Sequence, residues 1–274
     1  MKFKYLYLSI FLLTALGIGF ILLKNHQTTS LVKTPSPSAL TASPTPKYPK
    51  ILSYQVPILM YHYIRNAEGE SELGKNLSVS PKNFEDQIKW LKENNFESLK
   101  ASDLADPDKK ELSRIAFEKK KPIVITFDDG YEDAYTNALP VLQKYEMTAT
   151  FYIIRDFVGR PEYMNQTQIN KLQSNGFEIG SHTLSHPDLS KADTADTKAQ
   201  IFDSKENALS FCYPAGKYNP TTVSLVKEAG YLTAVTTNGR IADQNSNLLE
   251  LPRVRINESS GEAFGRKITT ALAN

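Results

Sequence analysis

Two short motifs about fifty residues apart hold the side chains best suited to chemistry: Thr126-Phe127-Asp128-Asp129-Gly130 and Ser181-His182-Thr183-Leu184-Ser185-His186. Together they offer two carboxylates and two imidazoles, a ligand set for a divalent cation with one carboxylate left for proton transfer. Adjacent aspartates at the end of an apolar run are costly unless each is paired or bound to a metal. The ordinary use of Asp-Gly is a hairpin turn, but here a helix-period segment follows instead of a second strand. Neighbouring side chains on a strand diverge, so a turn at Gly130 has to bring both carboxylates to one pocket. His182 and His186 are four apart, which places both rings on one face if the segment is a helical turn. The chemistry this favours is metal-dependent hydrolysis.

The motifs must be positioned by a repeating scaffold. Short apolar runs at 56–61, 123–127, 148–154, 177–180, 210–213, 231–236 and 251–256 predict strands. Helix-period segments at 81–94, 131–145, 167–174, 194–207 and 220–229 lie between them. Ser80-Pro81 and Asn219-Pro220 are helix-start signals, and Gly176 and Gly230 stand where helices end. This alternation predicts an α/β fold, a largely parallel sheet wrapped by helices and closed or nearly closed into a distorted (β/α) barrel. Both motifs then fall at the C-terminal strand ends, the face on which such folds build their sites.

The flanking sequence predicts three parts. Residues 1–27 contain a nineteen-residue uncharged, mostly apolar stretch behind Lys2 and Lys4; as a helix it would be roughly 28 Å long, about one hydrocarbon core. An uncleaved membrane anchor with the rest of the chain outside the cytoplasm is preferred to a cleaved signal, which would give a secreted protein. Residues 28–50, rich in Ser, Thr, Pro and Lys, form an extended tether, and residues 51–274 form the catalytic domain. The first fifty residues hold six of the 32 Lys and Arg and none of the 30 Asp and Glu, so the remainder carries 26 against 30, a net of −4. A mildly acidic domain argues against a nucleic-acid partner. The single cysteine, Cys212, excludes an internal disulfide and reads as a small buried hydrophobe.

With Phe211-Cys212-Tyr213-Pro214-Ala215-Gly216, the two opening motifs resemble the first three motifs of the polysaccharide deacetylases, carbohydrate esterase family four or NodB-homology domain. The resemblance runs from about Val56 to about Asn257. It implies an enzyme that removes acetyl groups from a sugar polymer with a divalent metal, usually zinc. It also implies Asp129, His182 and His186 as metal ligands, a metal-bound water as nucleophile, Asp128 as general base, and the Ala215 backbone N–H as oxyanion donor.

Two departures from the family pattern stand out. Where many members carry an arginine that orients the catalytic aspartate, this chain has Cys212; Arg253, in Leu251-Pro252-Arg253-Val254-Arg255, is the candidate replacement. No histidine follows His186, so the family's late general acid is missing, and His62 at the end of the first strand is the candidate substitute. A similar apolar-Tyr-His opening occurs in the branch that resembles poly-N-acetylglucosamine deacetylases. The expected activity is therefore N-deacetylation of an extracellular or cell-envelope polymer of the N-acetylglucosamine type. The alternatives are O-acetyl esterase action on a xylan-like polymer, or a catalytically impaired glycan-binding relative. Tyr61, Tyr63, Tyr131 and Tyr213 lie near strand ends, where aromatic rings can stack on sugars, although packing is the commoner use of such residues.

Overall fold

The computed structural model describes residues 47–273. The predicted anchor at 1–27 and all but the last four residues of the predicted tether lie outside the described residues. Among the described residues no helix is long and apolar enough to cross a membrane.

Eight strands make the main sheet: β1 (Ile58–Tyr61), β2 (Phe96–Leu99), β3 (Lys121–Phe127), β4 (Thr150–Ile153), β5 (Glu178–Ser181), β6 (Ser210–Cys212), β7 (Thr233–Val235) and β8 (Val254–Arg255). Their order is β7-β6-β5-β4-β3-β1-β8, and every ladder is parallel. Val124 pairs with both Ile58 and Leu99, which puts β1 and β2 on opposite edges of β3; β4 takes over the β2 edge from Thr126 onward. The two ends of the sheet meet at a single parallel bridge, Val235 to Leu251. There Leu251 N–H donates to Ala234 O at 2.8 Å and Thr236 N–H to Leu251 O at 2.9 Å. The predicted distorted parallel barrel is present, and this one bridge is its seam.

Connections between parallel strands must cross back, and here helices do so. They are α1 (Pro81–Glu93), α2 (Lys110–Phe117), α3 (Leu139–Lys144), α4 (Gln166–Ser174), α5 (Thr194–Phe202) and α6 (Pro220–Glu228), with α7 (Gly261–Ala273) closing the chain. In α1 Ser80 caps the N-terminus by accepting from Asn83 N–H, Pro81 takes a position whose N–H would go unused, and Phe84, Ile88 and Leu91 form the buried stripe. The helix expected at 131–145 runs from Glu132 to Lys144, with a π turn at Ala134–Ala138 leading into α3.

Period-two alternation sorts the strand residues into two cores. Ile123, Ile125 and Phe127 of β3 pack outward with Leu59 and Tyr61 of β1 against α1, in a cluster that also takes Phe151 and Ile153 of β4. Ile58, Val124, Tyr152, Cys212, Val235 and Leu251 belong to the inner cluster. Gly180 fits beside the Tyr152 ring, because a Cβ there would stand 2.5 Å from it. The same parity carries His62, Asp128, His182 and Arg253 inward, one step or two beyond these residues, at the C-terminal mouth of the barrel.

Candidate active site

Asp128 is the inward residue that follows Val124 and Thr126 on β3, and it is buried. Arg253 reaches it from the seam segment with both prongs of its guanidinium, Nη1 to Oδ1 at 2.7 Å and Nη2 to Oδ2 at 2.8 Å. Arg253 is itself 1% exposed, and its remaining donors are occupied: Nε donates to Thr236 O at 2.8 Å, Nη1 also to Thr126 Oγ1 at 3.0 Å, and Nη2 to Cys212 Sγ at 3.3 Å. Burial alone would raise the pKa of Asp128, but the Arg253 charge and its hydrogen bonds outweigh that and hold the carboxyl well below the usual range. A small residue at 212 is what leaves room for this guanidinium. Thr126, Thr236 and Cys212 form a cradle that sequence reading missed; the only trace of it was the polar Thr126 inside an otherwise apolar run.

Asp129 points elsewhere although it is the next residue. It and Gly130 adopt left-handed backbone, φ 71° and 81°, and this turn swings the Asp129 carboxylate toward the histidines. For a non-glycine residue such a φ is strained and is kept where the surroundings dictate it. Asp129 Oδ1 lies 3.3 Å from His182 Nε2 and 3.6 Å from His186 Nε2. One ligand atom from each of the three residues falls within 4.8 Å of the others.

His182 follows β5 directly, but His186 is not on a helical turn with it, which corrects the expected geometry. The segment after Ser181 is an irregular loop in which Thr183 and His186 are both left-handed, φ 68° and 62°, and Thr183 Oγ1 accepts from His186 N–H at 2.9 Å. Spacing predicted the convergence, and a different backbone delivers it. His182 Nδ1 is engaged with Cys212 O at 2.7 Å, so Nε2 is the nitrogen turned toward Asp129.

These residues fit a divalent cation: one carboxylate and two imidazole nitrogens converge, and the tautomer of His182 is fixed by a backbone carbonyl behind it. Burial opposes protonation of His182, but Cys212 and Asp129 push its pKa above the ordinary histidine value; a cation on Asp129 would replace that demand for positive charge. Asp128, His182 and Cys212 also cluster. That group is the poorer site, because both Asp128 oxygens and the Cys212 sulfur already face the Arg253 guanidinium.

His62 is the inward residue two beyond Met60, and its Nε2 stands 3.8 Å from Asp128 Oδ2. Burial lowers its pKa, with Asp128 and Asp129 pulling the other way. Ala215 sits in a tight turn at Pro214–Gly216 with φ 50°; the following N–H groups bond back to Tyr213 O and Pro214 O, while the Ala215 N–H donates to no group among the described residues. The sequence candidates Asp128, Asp129, His182, His186, His62 and Arg253 therefore meet at one mouth. Tyr61 and Tyr213 do not join them: both are buried, and their hydroxyls donate to Gln87 Oε1 and Leu249 O. Tyr63 and Tyr131 stack on each other at 4.1 Å, and Tyr131 on Tyr163 at 4.9 Å, a half-buried aromatic row beside the motif.

Residues 117–234, spanning all three motifs, match the family model described as polysaccharide deacetylase. The Bacillus subtilis polysaccharide deacetylase homologue YxkH is 35% identical, over 78% of this chain and 76% of that protein. The chain belongs to the polysaccharide deacetylase family. The poly-beta-1,6-N-acetyl-D-glucosamine N-deacetylase of Staphylococcus aureus is 29% identical over 78% of this chain and 84% of that protein. The Streptococcus pyogenes deacetylase PplD, solved with acetate, superposes with a TM-score of 0.68 at 30% identity, covering 78% of this chain and 98% of that one. Within this deacetylase frame, the cradle of Thr126, Thr236 and Cys212 and the seam arginine are how this chain holds the first aspartate of the Asp-Asp pair.

Proposed function

We propose that this deacetylase is a metal-dependent hydrolase that removes N-acetyl groups from an extracellular or cell-envelope polymer of the N-acetylglucosamine type. The observation that carries the reading is the convergence of Asp129, His182 and His186 beside an aspartate whose ionisation is enforced by Arg253. A divalent cation, zinc by its nitrogen and oxygen donors, would be held by Asp129, His182 and His186 and would supply Lewis acidity toward the acetyl carbonyl and acidify the attacking water.

The chain's own groups do the rest. Asp128, ionised at any working pH, accepts the proton of the attacking water; its low basicity is the cost of its pairing with Arg253, and Arg253 fixes the direction of its lone pairs. His62 delivers a proton to the leaving nitrogen from a position within reach of Asp128. The unengaged Ala215 N–H is the donor for the developing oxyanion. The similarity to the S. aureus poly-N-acetylglucosamine deacetylase supports the polymer class, and the apolar stretch at 1–27 supports placement at the outer face of a membrane.

The test is acetate release by the full-length protein from N-acetylglucosamine oligomers, peptidoglycan and acetylxylan, with and without chelator. Release from the amide substrates, lost with chelator and restored by zinc, is expected. Release from acetylxylan alone would replace the reading with an O-acetyl esterase, and release unaffected by chelator would overturn the metal assignment. His62→Ala should slow amide cleavage about 10²-fold or more while sparing an activated ester, whose leaving group needs little protonation; equal losses remove His62 as the acid.

A further inference from the structure

A cavity of about 880 Å³, a size that admits a small ligand, lies along the seam beside β8 and α7. Asn238, in its wall, accepts the Arg253 backbone N–H at 2.8 Å, and Tyr218, also in its wall, stacks on Tyr213 of the third motif at 4.3 Å. Three cations line it: Arg240, Arg255 and Lys267. Arg255 lies on β8 two residues beyond Arg253, in register with Met60 and so beside the strand that leads into His62.

The charges in this cavity are unevenly matched. Its two carboxylates are committed within their own loop: Asp243 Oδ1 accepts from Asn245 N–H at 2.9 Å and Ser246 Oγ at 3.1 Å, and Glu250 Oε2 from Asn247 Nδ2 at 2.6 Å. None of the three cations forms an ion pair among the described residues. Lys267 Nζ donates to Arg255 O at 2.7 Å, which holds the ammonium against the strand that carries Arg255. Burial lowers the Lys267 pKa, the Arg255 charge lowers it further, and no acid offsets either effect. Two like charges kept together, with no carboxylate among the described residues within ion-pair range of either, stabilise an anion that enters between them.

Building on the deacetylase reading above, we propose that Arg255 and Lys267, with Arg240 at the edge, form a subsite for an anionic substituent, a carboxylate or a phosphodiester, on a sugar adjoining the one being deacetylated. The subsite discriminates against tracts that are already deacetylated, whose ammonium groups it repels.

The experiment compares the affinities of full-length protein, by calorimetry, for three probes of similar length. These are a hyaluronan hexasaccharide, in which N-acetylglucosamine alternates with glucuronate, neutral chitohexaose, and a phosphodiester-linked N-acetylglucosamine oligomer. Two exposed ion pairs predict that an anionic probe binds about fivefold tighter than chitohexaose at low salt, and that the margin shrinks at about 0.5 M salt, where such pairs are screened. Arg255→Gln with Lys267→Gln should bring the anionic probe to parity, while the charge-preserving Arg255→Lys with Lys267→Arg should retain the preference and so control for folding. Whichever anionic probe binds tighter identifies the source as carboxylate or phosphate. Parity of all three probes in the unmodified protein, or a preference that survives the double glutamine variant, overturns the subsite. Acetate release from chitohexaose by the unmodified protein is measured in parallel. Its absence from the unmodified protein would count against the proposed activity and leave the affinity comparison intact.

Discussion

Asp128 and Asp133 are five residues apart, both have their carboxylates out of water, and both lie beside an arginine, yet they end with opposite acidity. Asp128 takes both prongs of Arg253, at 2.7 and 2.8 Å, and is held well below the carboxylate range. Asp133 Oδ2 is 3.9 Å from Arg65 Nε, and Arg65 is shared with Glu70 at 3.0 Å and Glu162 at 3.3 Å. Neither Asp133 oxygen has a partner at full hydrogen-bonding geometry, and burial, partly offset by the nearby Ile64 and Ala134 backbone and by Arg65, pushes its pKa up to about 6. The same two residue types give a permanently ionised group at the mouth and a titratable one on the flank. Geometry decides, because a bidentate fork stabilises the anion through two aligned donors while a distant, shared guanidinium supplies only a weakened field.

The sharpest way to break this contrast is at the locked end. Asp128→Asn removes the ionised acceptor and keeps the shape, so turnover should fall about 10²- to 10⁴-fold with metal content unchanged; a near-normal rate would remove Asp128 as the proton acceptor. Arg253→Met leaves the carboxylate buried and unpaired, a loss of about 3–5 kcal/mol in unfolding free energy by urea titration at pH 7. Arg253→Lys keeps the charge and loses the fork, so its cost should be smaller, about 1–3 kcal/mol. If the lysine variant matches the methionine variant, fork geometry and not charge is what Asp128 requires.

Much of this was legible in the sequence, and the rest was hidden for identifiable reasons. All seven expected strands correspond to observed ones, because each is an apolar run bounded by turn or cap residues. β2 was missed: Glu97 and Ser98 interrupt its four residues, and their partial burial depends on pairing with β3. α7 was missed because Gly261, Gly265 and paired threonines depress helix propensity; Gly265 is there because a Cβ would stand 2.2 Å from the Trp90 ring. At the site, the two motifs gave the carboxylates and imidazoles that converge as candidate cation ligands, and the missing family arginine pointed to Arg253. The turn at Gly130 was legible, but the left-handed backbone at Asp129 and His186 was not, because Asp and His adopt it at only a small minority of positions. Asp133 gave no signal at all, since its raised pKa comes from burial, which an arginine distant in sequence and shared with two other acids only partly offsets.

The flank offers the gentlest test, and its sign is opposite to that of the mouth. The unfolded-state value of an aspartate is about 3.9, and in the folded chain Asp133 sits at about 6. The folded state therefore binds this proton more tightly, and its contribution to stability is present below about pH 4 and lost as pH rises through about 6. Asp128 runs the other way: its depressed value contributes stability above about pH 4 that is lost as pH falls. Asp133→Asn should thus raise stability at pH 8 by about 1–2 kcal/mol relative to the unmodified protein and leave it nearly unchanged at pH 4, read from denaturation midpoints across that range. Asp128→Asn should instead abolish part of the loss on acidification. If Asp133→Asn destabilises the protein at pH 8, then Arg65 pairs with Asp133 as effectively as Arg253 does with Asp128, and fork geometry is not what separates the two carboxylates.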